Sequence, residues 1–277
     1  MSKGVLLFAY NNSHIDYIKL AIFSANRIKE YLNVPVTLVS NESSLNSFSY
    51  SLDVFDNVLH FDETISNKKY FNDGLDKSQH LDWHNAARFS AYTLSPYEQT
   101  LVLDVDYIIN SKNLNKCWDQ PHDFLIYKDS LDFAARDNKE FKNISDYSID
   151  FYWATAFYFR KTESTEYLFR LVEHVKENWT FYKVLYQLHS TNFRNDFAFS
   201  IAIHMMNGFT QGEFAKKLPG KMYYTLDTDI LTNIENNKMT FLTHRQQSAD
   251  SYVPLAISGL DIHVMNKYSL LRCINND

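Results

Sequence analysis

The chain has 277 residues, with 27 Lys+Arg against 33 Asp+Glu (formal charge −6), 45% hydrophobic and 22% charged residues. That balance excludes global disorder, and it excludes the basic surface with which a nucleic-acid coat or a polybasic membrane binder offsets phosphate charge, although a local basic groove stays open. The length suits one large domain or two intimate halves.

In chain order, the run Gly4-Val-Leu-Leu-Phe-Ala-Tyr10, stopping at Asn11-Asn12-Ser13, reads as a strand buried on both faces. It is too short for a secretory apolar region or a bilayer span, so a cytoplasmic protein with no membrane partner is expected. Ile15, Ile18, Ala21, Ala25, Ile28 and Leu32 then recur at helical spacing, and residues 35–40 and 57–61 read as two further strands. Strand, helix, strand in this order predicts a parallel crossover and an α/β class.

Residues 62–80 are polar and pattern-poor and are expected to form a long functional loop. Residues 81–94 predict a helix stopped by Ser95-Pro96. The strand that follows runs into two acids, in Gln99-Thr-Leu-Val-Leu-Asp-Val-Asp-Tyr-Ile-Ile-Asn110. Residues 123–127 and 154–159 read as strands around a charged segment, 128–150, with the look of a flap. Helices are expected over 163–179 and 196–206, and short strands over 238–242 and 261–265. Two cysteines, Cys117 and Cys273, are too few for a disulfide framework and read as reduced thiols.

With only 6 glycines and neither a GxGxxG nor a GxxxxGK[ST] motif, phosphate must be held by side chains or by metal. Asp104 and Asp106 supply a candidate. Ligands of open parallel sheets bind beyond the carboxyl ends of strands, and alternation along an extended chain points residues two apart to the same side. Two acids so placed need a cation or protons to neutralise them, and hard oxygen ligands suit Mg²⁺ or Mn²⁺ with phosphate completing the shell. An ordinary polar strand end has the same local pattern.

The stretch Arg88-Phe-Ser-Ala-Tyr-Thr-Leu-Ser-Pro-Tyr-Glu-Gln-Thr-Leu-Val-Leu-Asp-Val-Asp-Tyr-Ile-Ile-Asn110 resembles the nucleotide-sugar-binding core of GT-A glycosyltransferases of the glycogenin and lipopolysaccharide galactosyltransferase type. The resemblance implies a Rossmann-like α/β fold with a mostly parallel central sheet flanked by helices. It also implies a single domain, with a nucleotide-sugar-binding half over 1–110 and an acceptor-side half over 111–277. Asp104 and Asp106 would hold Mn²⁺ or Mg²⁺ on the donor diphosphate, and Arg88 would contact the donor.

Gly259-Leu-Asp-Ile-His263-Val-Met-Asn-Lys267 resembles the C-terminal His-x-x-Gly-x-x-Lys element of that group, whose histidine is a metal ligand and whose lysine meets phosphate. Here Lys267 follows His263 by four residues rather than six. Phe151-Tyr-Trp-Ala-Thr-Ala-Phe-Tyr-Phe159 falls where the family has a strand edge facing the donor sugar, with Trp153 and Thr155 at its Asn and Gly positions. Asn192-Phe-Arg-Asn-Asp196 falls where the family has Asp-Gln-Asp, which makes Asn195 and Asp196 the implied catalytic pair; Asp196 reads equally as a helix N-cap. Tyr10, Asn11 and Asn12 fall where this fold binds base and ribose, by stacking and amide hydrogen bonds, and where loop capping would use the same residues.

The implied reaction moves a sugar from a nucleoside diphosphate sugar, a UDP-sugar, to an acceptor hydroxyl. Lys3-Gly-Val-Leu-Leu-Phe-Ala-Tyr-Asn-Asn12 and the Asn-, Tyr-, Phe- and Lys-rich style also resemble glycosyltransferases of tailed phages, some of which place glucose or arabinose on hydroxymethylated cytosine. That resemblance implies double-stranded phage DNA as acceptor and the host cytoplasm as location, with Lys216, Lys217, Lys221, His244, Arg245 and Arg272 lining a groove; solvated surface is the other reading. A saccharide or protein acceptor, and a nucleotidyltransferase releasing pyrophosphate, are the alternatives.

Overall fold

A computed structural model describes residues 1–47, 50–62, 67–84, 87–137, 141–146, 148–189, 192–244 and 251–275. The apolar opening forms β1 (Lys3–Phe8), buried after its first residue. Helix α1 (Tyr17–Leu32) begins at Asp16, whose side chain accepts from the Lys19 N–H, and stops at Asn33 in the left-handed region (φ 52°). Then come β2 (Val36–Ser40), α2 (Glu42–Asn46) and β3 (Asn57–His60), with β1, β2 and β3 all parallel, as the crossover pattern requires.

The stretch expected as a loop over 62–80 is instead largely a hairpin, β4 (Asn67–Asp73) and β5 (Lys77–Trp83), with residues 63–66 outside the described set. Its turn uses Gly74 at φ 75°, a left-handed conformation that glycine adopts without steric cost. Alternation explains the strands: Phe71 and Leu81 are buried, while Tyr70 is 66% exposed. Residues 81–83 therefore belong to β5, and the helix expected over 81–94 is confined to a 3₁₀ turn (Ala87–Ser90) and the single turn α3 (Ala91–Leu94).

Strands β6 (Gln99–Leu103), β7 (Tyr107–Ile108), β8 (Phe124–Tyr127), β9 (Ser130–Asp132) and β10 (Trp153–Arg160) follow. The helix expected over 163–179 is two helices, α4 (Glu163–Glu177) and α5 (Trp179–Leu185), separated at Asn178, whose amide donates back to the His174 carbonyl (2.9 Å). The chain ends with α6 (Asn195–Met206), β11 (Lys216–Lys217), β12 (Met222–Thr225), β13 (Ile230–Glu235), β14 (Lys238–His244), β15 (Tyr252–Ser258), β16 (Ile262–Val264) and α7 (Lys267–Asn275).

The central seven-stranded sheet has the order β11-β8-β10-β6-β1-β2-β3. All its pairings are parallel except those of β10, which runs antiparallel to both β6 and β8. The mixed α/β class with a mostly parallel central sheet flanked by helices is thus the architecture observed. Strand β10 lies inside the sheet, not at its edge, and is buried almost throughout, while Trp153 and Thr155 line the cleft described below. On one side Phe157, Phe169 and Phe199 interlock, with ring centroids 4.8–6.1 Å apart.

A second sheet, β7-β16-β12-β9, brings the distant C-terminal strand β16 against β7, with His263 opposite Tyr107. Strands β13, β14 and β15 form a separate antiparallel meander. Neither Cys117 nor Cys273 forms a disulfide among the described residues, and no described helix is long and apolar enough to cross a membrane.

Candidate functional site

Strand β6 stops at Leu103, and the two acids that follow lie on a turn, not on the extended chain expected for them. The Asp104 N–H donates to the Thr155 carbonyl (2.8 Å), and the Tyr107 N–H donates to the Asp104 carbonyl (3.0 Å). The Asp106 carbonyl accepts from the Val264 N–H (2.8 Å), which stitches the turn to β16. His263 consequently meets Asp106, with Nε2 3.2 Å from Oδ2. One ligand atom from each of Asp104, Asp106 and His263 falls within 4.8 Å of the others.

Both acids carry cationic partners. Asp104 is ion-paired with Arg88, from the 3₁₀ turn before β6, and Asp106 with Lys267 (2.6 Å), the first residue of α7. Burial pushes the Asp106 carboxyl up, but the Lys267 ammonium and His263 outweigh it and hold that carboxyl well below the usual carboxylate range. His263 Nδ1 is buried with no hydrogen-bond partner among the described residues, and its ring stands edge-on to Trp153.

Two carboxylates and an imidazole without thiolate form a hard donor set suited to Mn²⁺ or Mg²⁺. The clustered ligand atoms, on a histidine whose Nε2 already faces Asp106, fit such an ion. Both acids are neutralised here by positive side chains, Arg88 and Lys267, which an ion at this point would have to displace.

The acids open into a cleft of about 170 Å³. It gathers nine of the residues expected from sequence: Tyr10, Arg88, Asp104, Asp106, Thr155, Asn195, Asp196, His263 and Lys267. Asn11 and Asn12 lie in a separate shallow hollow. Their amides are engaged in shaping the loop: Asn11 Oδ1 accepts from the Ile18 N–H (3.1 Å), and Asn12 Oδ1 accepts from the Ile15 N–H (2.9 Å). Asp196 is not the N-cap of α6, a position held by Arg194. Its carboxylate instead accepts from the Ala154 N–H (2.9 Å) and from the Arg194 guanidinium (2.9 Å), tying α6 to β10.

Of the basic residues proposed for a groove, Lys216 pairs with Glu213, Lys217 with Asp129 (3.0 Å) and Arg272 with Asp73 (2.7 Å). Lys221 is exposed, the His244 ring packs near Tyr252, and Arg245 lies outside the described residues.

Sequence reasoning missed the residues that close the cleft: Tyr17 from α1, Lys69, Phe71 and Trp83 from the β4–β5 hairpin, Arg194, and Asp227. The signal for the hairpin was its period-two pattern. Burial, then the nearby Lys267 and Arg194, pull the Lys69 ammonium down to about 7. Burial, with the charge of Asp106, pushes the Tyr17 hydroxyl up.

No protein-family model and no curated protein matches the chain. Among solved structures it is similar to the galactosyltransferase LgtC in complex with donor and acceptor sugar analogues, at 11% identity and TM-score 0.44 over 72% of this chain and 70% of that one. An active-site mutant of LgtC matches at 10% identity and TM-score 0.46, covering 77% and 72%. The glycosyltransferase GlyE of Streptococcus pneumoniae TIGR4 matches at 11% and 0.40, covering 79% of this chain and 45% of that one.

Proposed function

We propose that this chain is a metal-dependent glycosyltransferase of the GT-A type, moving a sugar from a nucleoside diphosphate sugar, a UDP-sugar, to an acceptor hydroxyl. The observation that carries the reading is the convergence of Asp104, Asp106 and His263 at the carboxyl end of a central parallel strand, inside a cleft with Arg88 and Lys267 on the same carboxylates. Asp104, Asp106 and His263 would hold Mn²⁺ or Mg²⁺, which would supply Lewis-acid stabilisation of charge building on the leaving diphosphate.

The chain's own residues do the rest. Arg88 and Lys267, which stand on these carboxylates in the cleft, would add their charge at the diphosphate. Tyr10 and Thr155 line the donor side, with residues 1–110 as the nucleotide-sugar half. Asp196, fixed by the Ala154 N–H and Arg194, faces the cleft from the 111–277 half together with Asn195 and takes the transition-state and acceptor contacts.

The acidic partners of Lys216, Lys217 and Arg272 favour a saccharide or protein hydroxyl over hydroxymethylcytosine in duplex DNA, since a DNA groove needs cations free for phosphate. A panel of nucleotide sugars with Mn²⁺, with and without hydroxymethylcytosine DNA or saccharide acceptors, tests the reading by nucleoside diphosphate release. Release that falls at least ~100-fold in Asp104→Asn and Asp106→Asn is expected. Pyrophosphate as the only product points to a nucleotidyltransferase, and no release with any pair overturns the proposal.

A further inference from the structure

The β4–β5 hairpin forms a roof over the cleft. Its turn end is fastened to the C-terminal part of the chain: the Asn72 amide donates to Asp227 (3.0 Å), the Leu75 N–H to the Tyr252 hydroxyl (3.0 Å), and Arg272 pairs with Asp73 (2.7 Å). Its open end is held by Asn12, whose amide donates to the Asp82 carbonyl (3.0 Å), and by Asn192, whose amide donates to the Lys68 carbonyl (2.6 Å). Strand alternation turns Lys68 and Tyr70 outward and Lys69 and Phe71 inward, with Trp83 on the same inner face.

The Lys69 ammonium rests on two aromatic rings, 4.2 Å from the centroid of Trp83 and 4.8 Å from that of Phe71. The other cations of the cleft have carboxylates of their own: Arg88 with Asp104, Arg194 with Asp196, Lys267 with Asp106. Among the described residues no carboxylate forms an ion pair with Lys69. An ammonium ion withdrawn from water costs free energy unless it is paired. Aromatic faces offset part of that cost and leave the N–H donors unfilled.

We propose that Lys69 is an oxyanion receptor built into the roof, seating a phosphate-type group of a bound substrate against its ammonium. The inference deepens the transferase reading and rests on it for the source of the anion, either the donor diphosphate or an anionic group on the acceptor. Burial, then Lys267 and Arg194, pull this ammonium down to about 7 against the weaker opposing charges of Asp106 and Asp227, which fits a site where a further anion arriving with the ligand would be welcome.

The test is calorimetric binding to the full chain of inorganic pyrophosphate, with and without Mn²⁺, and of galactose 6-phosphate in the presence of UDP and Mn²⁺. Lys69→Met keeps the aliphatic stem on Trp83 and Phe71 and is expected to weaken at least one probe ~10-fold or more, with Lys69→Arg restoring it. Lys68→Met, one residue away on the outer face, leaves both probes unchanged. A loss confined to pyrophosphate assigns the anion to the donor, and a loss confined to galactose 6-phosphate assigns it to the acceptor. Equal affinities of Lys69→Met and wild type for both probes, or no wild-type binding of either, overturn the proposal.

Should the variants fail to fold, acetylation of the wild type at neutral pH decides: Lys69 protected by either probe supports the receptor, and no protection overturns it. Sugar transfer is scored separately. Intact transfer with Lys69-independent binding sinks only this inference, whereas Lys69-dependent binding without transfer from any donor sinks the transferase reading.

Discussion

Lys69 shows at the scale of one residue how a binding site works against stability. Its folded-state value of about 7 lies below the ~10.4 of an unfolded lysine, so the unfolded chain binds the extra proton between those values and stability rises with pH across that window. Below pH 7 the buried charge weighs against folding. Lys69→Met is therefore expected to raise the melting temperature most at pH 6 and least near pH 10, measured by thermal unfolding across that range; a shift independent of pH would contradict the assignment. Gly4 is the opposite case, a residue chosen for what it lacks. A Cβ there would stand 2.4–2.7 Å from the Tyr97 ring, whose hydroxyl shares a hydrogen bond with Thr37 (2.8 Å). Gly4→Ala must displace that buried ring and is expected to cost ~1–3 kcal/mol in a denaturant melt.

At the scale of elements, the hairpin is the part of the fold that local reading handled worst. Asn67, Lys68, Lys69, Asn72 and Asp73 are polar and lack a continuous apolar run, and such a stretch is a strand only because a neighbouring surface covers one face of it. That surface includes Asp227 and α7, nearly 200 residues away in sequence at the Arg272–Asp73 pair. The Arg272 guanidinium holds the Asp73 carboxyl below its ordinary value. A lowered carboxyl contributes stability that is present above the unfolded value of ~3.9 and lost as pH falls through the folded one. Hydrogen-exchange protection of residues 67–83 is expected to fall on acidification from pH 5 to pH 3 in the wild type. In Asp73→Asn it should be lower at pH 5 and change little. The pair is partly exposed, so only a modest change in global stability accompanies this.

At the scale of the whole molecule, the candidate metal set is assembled from two sheets, so ion binding and folding are linked. A ligand that binds only the folded state stabilises it by about 2.7 kcal/mol at 100 times its Kd. Mn²⁺ at that excess is expected to raise the melting temperature of the wild type by several degrees and to leave Asp104→Asn/Asp106→Asn unmoved. An equal shift in both proteins would place the ion elsewhere.

The chain's local patterns by themselves determined the crossover β1-α1-β2, the parallel β3, and a buried β6 followed directly by Asp104 and Asp106. Continuous apolar runs and 3.6-residue spacing are properties of a few neighbouring side chains and need no knowledge of what lies across from them. His263 and Lys267 were marked as candidates only by the resemblance of residues 259–267 to a C-terminal family element, not by local patterning. Only the tertiary structure decided that His263, 157 residues from Asp106, meets it through the β16–β7 pairing, that the two acids sit on a turn, and that a polar hairpin roofs the cleft with Lys69 inside. The reason is physical: a sequence pattern specifies which face of an element seeks burial, while the partner for that face, and hence the charge a side chain finally meets, is set by long-range packing.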